Sequence, residues 1–120
     1  MAQRFRTTRR VEFRDTDAAG IAHFSVYFNY MEEAEHALWR HLGLSVEEAS
    51  ADHVVSWPRV SAKCDYQSAA RFEETLDIEV AVARLGEKSV TFRFALTRDG
   101  GPIAAGEVTA VCCRFAAHQP

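Results

Sequence analysis

Phe24-Ser25-Val26-Tyr27-Phe28-Asn29-Tyr30-Met31-Glu32-Glu33-Ala34-Glu35-His36-Ala37-Leu38-Trp39-Arg40-His41-Leu42-Gly43 decides the fold. Phe24, Tyr27, Phe28, Met31, Ala34, Leu38 and Leu42 recur at three- and four-residue steps, while Glu32, Glu33, His36 and Arg40 fall mostly elsewhere. That spacing predicts one amphipathic helix of about five turns, roughly 28 Å long. Ser25 or the turn before it can open the helix, and Gly43 suits a left-handed stop.

Upstream, residues 7–15 alternate, with Val11 and Phe13 on one face and Arg10, Glu12 and Arg14 on the other, and predict a half-buried strand. Asp15-Thr16-Asp17-Ala18-Ala19-Gly20 then breaks the period as a turn. Downstream, Ser45-Val46-Glu47-Glu48 has the form of a capping box and predicts a short second helix over 46–51. Beyond Pro58 the chain reads as strand. Val60, Ala62, Cys64 and Tyr66 alternate with polar residues, as do Leu76, Ile78, Val80 and Val82, then Val90, Phe92, Phe94 and Leu96. A last strand is expected from Ile103 to Phe115. Leu85-Gly86-Glu87-Lys88 and Asp99-Gly100-Gly101-Pro102 supply hairpin turns.

The 120 residues hold no repeat or linker and read as a single domain over 1–120. About two-thirds of the unfolded surface of such a chain can be buried, enough for a core without staples. One helix covers one face of a sheet, so long antiparallel strands must curl around it. The exposed edge and outer face then call for another copy of the chain, and an oligomer is expected.

Composition narrows the function. A net charge of −3 argues against a general nucleic-acid binder. Four arginines in the first ten residues read as a solvated strand or tail. The longest stretch free of Asp, Glu, Lys and Arg runs only from Ala18 to Met31, so no membrane span is expected. The basic start has no apolar run behind it, and no secretory signal is expected. Cys64, Cys112 and Cys113 form no CxxC pair, which fits a reducing cytoplasm. The five histidines offer no HxxxH pair, and no metal site is suggested.

The chemistry concentrates at residues 14–24. Two carboxylates, Asp15 and Asp17, stand just ahead of the helix, and Ala18, Ala19 and Gly20 leave room for a ligand against the backbone. A helix start offers amide N–H groups suited to an oxygen gaining negative charge. A carboxylate beside such a site can activate water or attack an acyl carbon itself. Spacing alone leaves open that both acids are turn and capping residues.

The run Val11-Glu12-Phe13-Arg14-Asp15-Thr16-Asp17-Ala18-Ala19-Gly20-Ile21-Ala22-His23-Phe24, followed by Tyr27-Phe28, Met31-Glu32, Trp57-Pro58-Arg59-Val60 and Tyr66, resembles the 4-hydroxybenzoyl-CoA thioesterase family of hotdog-fold proteins. The likeness covers residues 9–115, and its D-x-D-x-x-G turn ahead of the helix is its most specific part. The resemblance implies an α+β hotdog fold: a curled antiparallel five-stranded sheet around one long helix. It implies a homo-oligomer, dimer or tetramer, with active sites between subunits. The activity implied is hydrolysis of an acyl-CoA to free acid and CoA, without metal or other cofactor. Asp17 falls on the family's catalytic carboxylate, as base or nucleophile, and the Phe24 backbone N–H on the group that polarises the carbonyl. Gly20, His23 and Tyr27 are the candidate substrate contacts. Arg84, Lys88 and Ser89 flank the Gly86 hairpin, where the resemblance places CoA contacts; Arg71 and Arg93 are further cations. One of Glu32, Glu33 and Glu35 is a candidate support for Asp17, the others solvated. Val26 stands where the family often has Asn, which points to a changed acyl pocket. The competing functions are a hotdog enoyl-CoA hydratase or dehydratase, for which His23 is the relevant residue, and a non-catalytic acyl-CoA-binding module.

Overall fold

The first strand, β1 (Arg4–Arg10), is followed by a single 3-10 turn at Phe13–Asp15 and by helix α1 (Val26–His41), 16 residues or about 24 Å long. Seven further strands follow: β2 (Glu48–Ala49), β3 (His53–Ser56), β4 (Arg59–Tyr66), β5 (Thr75–Leu85), β6 (Ser89–Arg98), β7 (Gly101–Val111) and β8 (Cys113–Ala116). The computed structural model describes residues 4–116. Of the expected 1–120 domain the ends therefore lie outside the described residues, His118 among them.

Five strands pair antiparallel in the order β1-β5-β6-β7-β4. The alternating apolar residues of β5 and β6 face one side: Leu76, Ile78, Val80, Phe92, Phe94 and Leu96 are all buried. Onto them α1 lays Tyr27, Tyr30, Met31, Ala34 and Leu38. The approach is tight at Gly106 of β7, where a Cβ would sit 2.5 Å from the Met31 sulfur and 2.7 Å from the Lys63 carbonyl oxygen. The absent side chain is what lets helix and sheet meet there. Gly43 stops the helix at φ +76°, as the sequence predicts.

Three expectations are corrected. The strand placed at 7–15 ends at Arg10, because Glu12 and Asp15 bond reciprocally: the Glu12 N–H donates to Asp15 Oδ2 at 3.0 Å and the Asp15 N–H to the Glu12 carbonyl at 2.9 Å. Phe13, expected inward, is 75% exposed on that turn. No helix forms at 46–51. Ser45 Oγ instead donates to the Glu47 carbonyl, and β2 pairs with β3 (Glu48 with Val55, Ala49 with Val54). The last strand is broken at Cys112, whose N–H donates to the Lys88 carbonyl at 2.7 Å. Beyond the break β8 leaves the large sheet and completes a small one in the order β2-β3-β8.

Helix and strand faces differ in detail. Phe24 lies ahead of the helix and is exposed, as is Leu42, whereas Glu35, read as a surface or supporting acid, is 1% exposed. On β4, Val60, Ala62 and Tyr66 are exposed, because β4 is an edge strand and α1 packs chiefly over β5 and β1. Cys64, Cys112 and Cys113 are free thiols. Among the described residues, no helix is long and apolar enough to cross a membrane.

Candidate active site

Asp15-Thr16-Asp17 runs antiparallel to Ile21-Ala22-His23, so the acidic turn is a miniature hairpin ahead of α1. The Asp17 N–H donates to the Ile21 carbonyl at 3.0 Å and the His23 N–H to the Asp15 carbonyl at 2.8 Å, around a Thr16–Ala22 bridge. At the tip the Gly20 N–H closes onto the Asp17 carbonyl at 2.9 Å, with Gly20 at φ +79°. A second bridge, Ile21 to Arg71, ties the hairpin to the segment before β5 and brings Arg71 beside it.

Asp17 Oδ1 accepts the Ala19 N–H at 2.8 Å, which fixes the side chain in an Asx turn. The carboxylate is exposed and lines a cleft of about 410 Å³ with Phe24, Tyr27, Tyr66, Gln67 and Ser68. Among the described residues the Phe24 N–H meets no acceptor, while its carbonyl receives the Tyr66 hydroxyl at 2.9 Å. Tyr66 thereby pins the approach to the helix, and its ring meets Tyr27 edge-on at 5.3 Å. Burial pushes both phenols above the ordinary tyrosine range, so each is a neutral hydroxyl at neutral pH.

His23 is half-buried and turned to local work. Its ring lies 4.6 Å from that of Phe24, and its Nδ1 accepts the Ser25 N–H at 3.3 Å and sits 2.8 Å from Ser25 Oγ.

Asp15, buried to 7% exposure, does not face the cleft. Its Oδ2 accepts the Tyr30 hydroxyl at 2.8 Å, the Glu12 N–H at 3.0 Å and Arg9 Nη1 at 3.3 Å. Burial pushes this carboxyl up, but the Glu12 amide, the Tyr30 hydroxyl and the Arg9 charge outweigh it and hold the group below the usual range. Of the three helix glutamates, Glu33 pairs with Arg9 and Glu35 with Arg59, and Glu32 is exposed 3.9 Å from Arg59. None of these contacts is to Asp17.

The cations named from the Gly86 hairpin lie elsewhere in the chain. Arg84 and Lys88 are exposed, Ser89 is half-buried, and Arg84 and Arg93 share Glu107 at 3.8 and 3.5 Å. Tyr66 pairs with Ala104, which pairs with Leu96, and Ser89 is seven residues further along β6, or about 23 Å. Within the chain these residues and the Tyr66 side of the cleft occupy opposite ends of the sheet. A larger hollow of about 490 Å³ lies on the far side of the sheet beside Arg6, Thr8 and Asp77, away from the helix start. Among the described residues no three His, Cys, Asp or Glu side chains gather as a metal-ligand set. The sequence reading omitted Gln67 and Ser68 from the cleft; they arrive from the end of β4, which no local spacing announces.

A curled antiparallel sheet packed over one helix is the hotdog architecture of thioesterases of known structure. The sequence model of the thioesterase-like superfamily matches residues 11–120, and the chain belongs to that superfamily. It is 29% identical over 112 residues to the 1,4-dihydroxy-2-naphthoyl-CoA hydrolase of Synechococcus elongatus, covering 92% of this chain and 82% of that one. It is 27% identical over 109 residues to the acyl-CoA thioester hydrolase YbgC of Escherichia coli, covering 90% and 81%. The solved structure of a gentisyl-coenzyme A thioesterase superposes with a TM-score of 0.82 at 27% identity, covering 94% of this chain and 92% of that one.

Proposed function

We propose that the protein hydrolyses an acyl-CoA thioester to the free acid and CoA, with Asp17 as the catalytic carboxylate and the Phe24 N–H as oxyanion donor. The observation that carries this reading is that Asp17 and Phe24 line one cleft, an exposed carboxylate and an amide that meets no acceptor among the described residues. A thioester carbonyl seated on the Phe24 amide turns its carbon toward Asp17. Charge moves onto the carbonyl oxygen as the tetrahedral intermediate forms, and a fixed N–H stabilises it there. As a base, Asp17 takes a proton from water while the water oxygen bonds to carbon. The C–S bond then breaks, and that proton leaves with the thiolate as CoA–SH. As a nucleophile, Asp17 forms a mixed anhydride and expels CoA, and water then cleaves the anhydride to the two carboxyl groups. Gly20 keeps the turn tight against the ligand, Tyr27 and Tyr66 wall the acyl side, and His23 supports Phe24.

The active form is a homo-oligomer in this reading. The β4 edge is open, and Val60 on it is 62% exposed. If β4 pairs antiparallel with the partner's copy, the Tyr66 end of one sheet meets the Arg59 end of the other. The partner subunit's Gly86 hairpin then stands about three strand spacings from the cleft, or roughly 14 Å. Arg84, Lys88 and Ser89 could there address the phosphates of CoA.

Thiol release from a panel of acyl-CoAs, followed with DTNB, tests the activity. Hydrolysis that falls at least a hundredfold in Asp17→Asn supports the assignment. Hydration of enoyl-CoA without thiol release, or tight binding with neither reaction, overturns it. Sedimentation at equilibrium tests the assembly: a monomer at assay concentration refutes it.

A further inference from the structure

We infer that Asp15 is a positioning residue: clasped by Tyr30 and Arg9, it sets the distance between the Asp17 turn and the Phe24 amide. This rests on the reading of Asp17 and Phe24 given above, and names a residue that neither touches the cleft nor meets substrate.

The argument is geometric. The two reacting groups lie on different pieces of backbone. Asp17 belongs to the outgoing arm of the hairpin, and Phe24 to the returning arm as it enters α1. Asp15 is bonded to both. Through its backbone carbonyl it accepts the His23 N–H at 2.8 Å, one residue before Phe24. Through Oδ2 it accepts the Tyr30 hydroxyl at 2.8 Å, on the buried face of the first turns of α1. The same oxygen holds the Glu12 N–H and reaches Arg9 of β1. Arg9 in turn binds Glu33 of α1 through its Nε at 2.8 Å and lies 4.8 Å from the centre of the Tyr30 ring. One carboxylate therefore ties strand, turn and helix at the point from which the two groups diverge.

A folded chain can seat this turn without such a clasp, as turns generally hold by backbone bonds alone. What the clasp adds is a fixed separation. A misplacement of about 1 Å between reacting groups costs on the order of a hundredfold in rate. Tyr30→Phe removes one donor with almost no change of volume, so the core under it stays filled. Its expected cost is about tenfold in kcat with KM within about twofold, since the clasp acts on the reacting groups and not on the rest of the substrate.

The experiment measures kcat, KM and Tm for Tyr30→Phe, Asp17→Asn and the double variant, with Leu38→Ala as a stability control on the same helix. Leu38 is buried far from the turn, and its truncation should lower Tm without changing kcat. The expected result is a fall in kcat for Tyr30→Phe that vanishes in the Asp17→Asn background, where there is no carboxylate left to position. Should Tyr30→Phe fail to fold, Arg9→Gln tests the clasp from the strand side with the same expectation. A normal kcat with a lowered Tm, or an equal loss in both backgrounds, overturns the inference. An Asp17→Asn enzyme with wild-type turnover overturns the assignment of Asp17, and the clasp with it. An inert Asp17→Asn beside an unaltered Tyr30→Phe overturns the clasp alone.

Discussion

Arg59→Met should unfold the protein far more readily at neutral than at acid pH. Glu35 is 1% exposed in the middle of α1, and Arg59 Nη2 lies 2.8 Å from each of its oxygens. The contact to Oε2 is a hydrogen bond, shared with the Trp39 indole N–H at 3.0 Å; the one to Oε1 is close in distance but lacks hydrogen-bond geometry. Arg59 is thus the main countercharge to a carboxylate with almost no access to water. Burial holds Glu35 above the usual carboxylate range, against the downward pull of Trp39 and Arg59. Methionine keeps the stem's volume and removes the charge. Leaving a buried carboxylate alone costs about 3–5 kcal/mol, or roughly 12–20 °C in Tm for a chain of this size. The sign of the pH effect follows from protonation. Without Arg59 the folded-state pKa rises further, so the deficit against wild type grows as pH rises through it and shrinks below it, where the folded protein carries Glu35 neutral. Thermal melts at about pH 5 and pH 8, read by circular dichroism, check this. Replacing both partners by methionine should recover most of the loss, since an apolar pair needs no countercharge. A deficit under about 1 kcal/mol, or one equal at both pH values, refutes the reasoning.

Gly106→Ala should cost about 1–3 kcal/mol, seen as a Tm lower by roughly 4–12 °C, because its methyl would overlap the Met31 sulfur and the Lys63 carbonyl oxygen. A melt within a degree of wild type would contradict the close approach. Replacing Arg84 and Lys88 together by alanine should raise KM for acyl-CoA several-fold with kcat unchanged, most visibly at low salt, because rim cations act on encounter and holding. Unchanged KM at low salt would remove these two residues from the substrate's path.

The central strands and the helix were legible because their faces are buried on one side only. Leu76, Ile78 and Val80, and Phe92, Phe94 and Leu96, carry a period of two that nothing else explains, and all are in the core. The Asp99-Gly100 hairpin was equally readable, and both residues take the positive φ such a turn demands, at 51° and 82°. What failed was local pattern without local cause. Ser45-Val46-Glu47-Glu48 has a helix-start spelling, but Val54 and Val55 two residues past a turn offer a strand partner, and pairing prevailed. The alternation in β4 is real, and Ala62, Cys64 and Tyr66 share the helix side of the sheet with Val108, Gly106 and Ala104, yet Ala62 and Tyr66 stay exposed because an edge strand lies beyond most of the helix's cover. At the cleft, Asp17, Phe24 and Tyr27, all named from one contiguous stretch, line the same hollow. Tyr66, Gln67 and Ser68 reach the same cleft from more than forty residues away, which no spacing within the turn encodes. Asp15 and Asp17 look alike in the sequence; only the tertiary contacts of Arg9 and Tyr30 divide them into a buried anchor and an exposed acid.

The break at Cys112 makes the region from Leu44 to Ser56 a semi-independent appendage. It hangs on its own three-stranded ladder, stitched to the main sheet by the Cys112–Lys88 and Val111–Pro58 backbone bonds. Insertions or deletions near residues 44–52 can therefore accumulate there without tugging on the hairpin that bears Asp17.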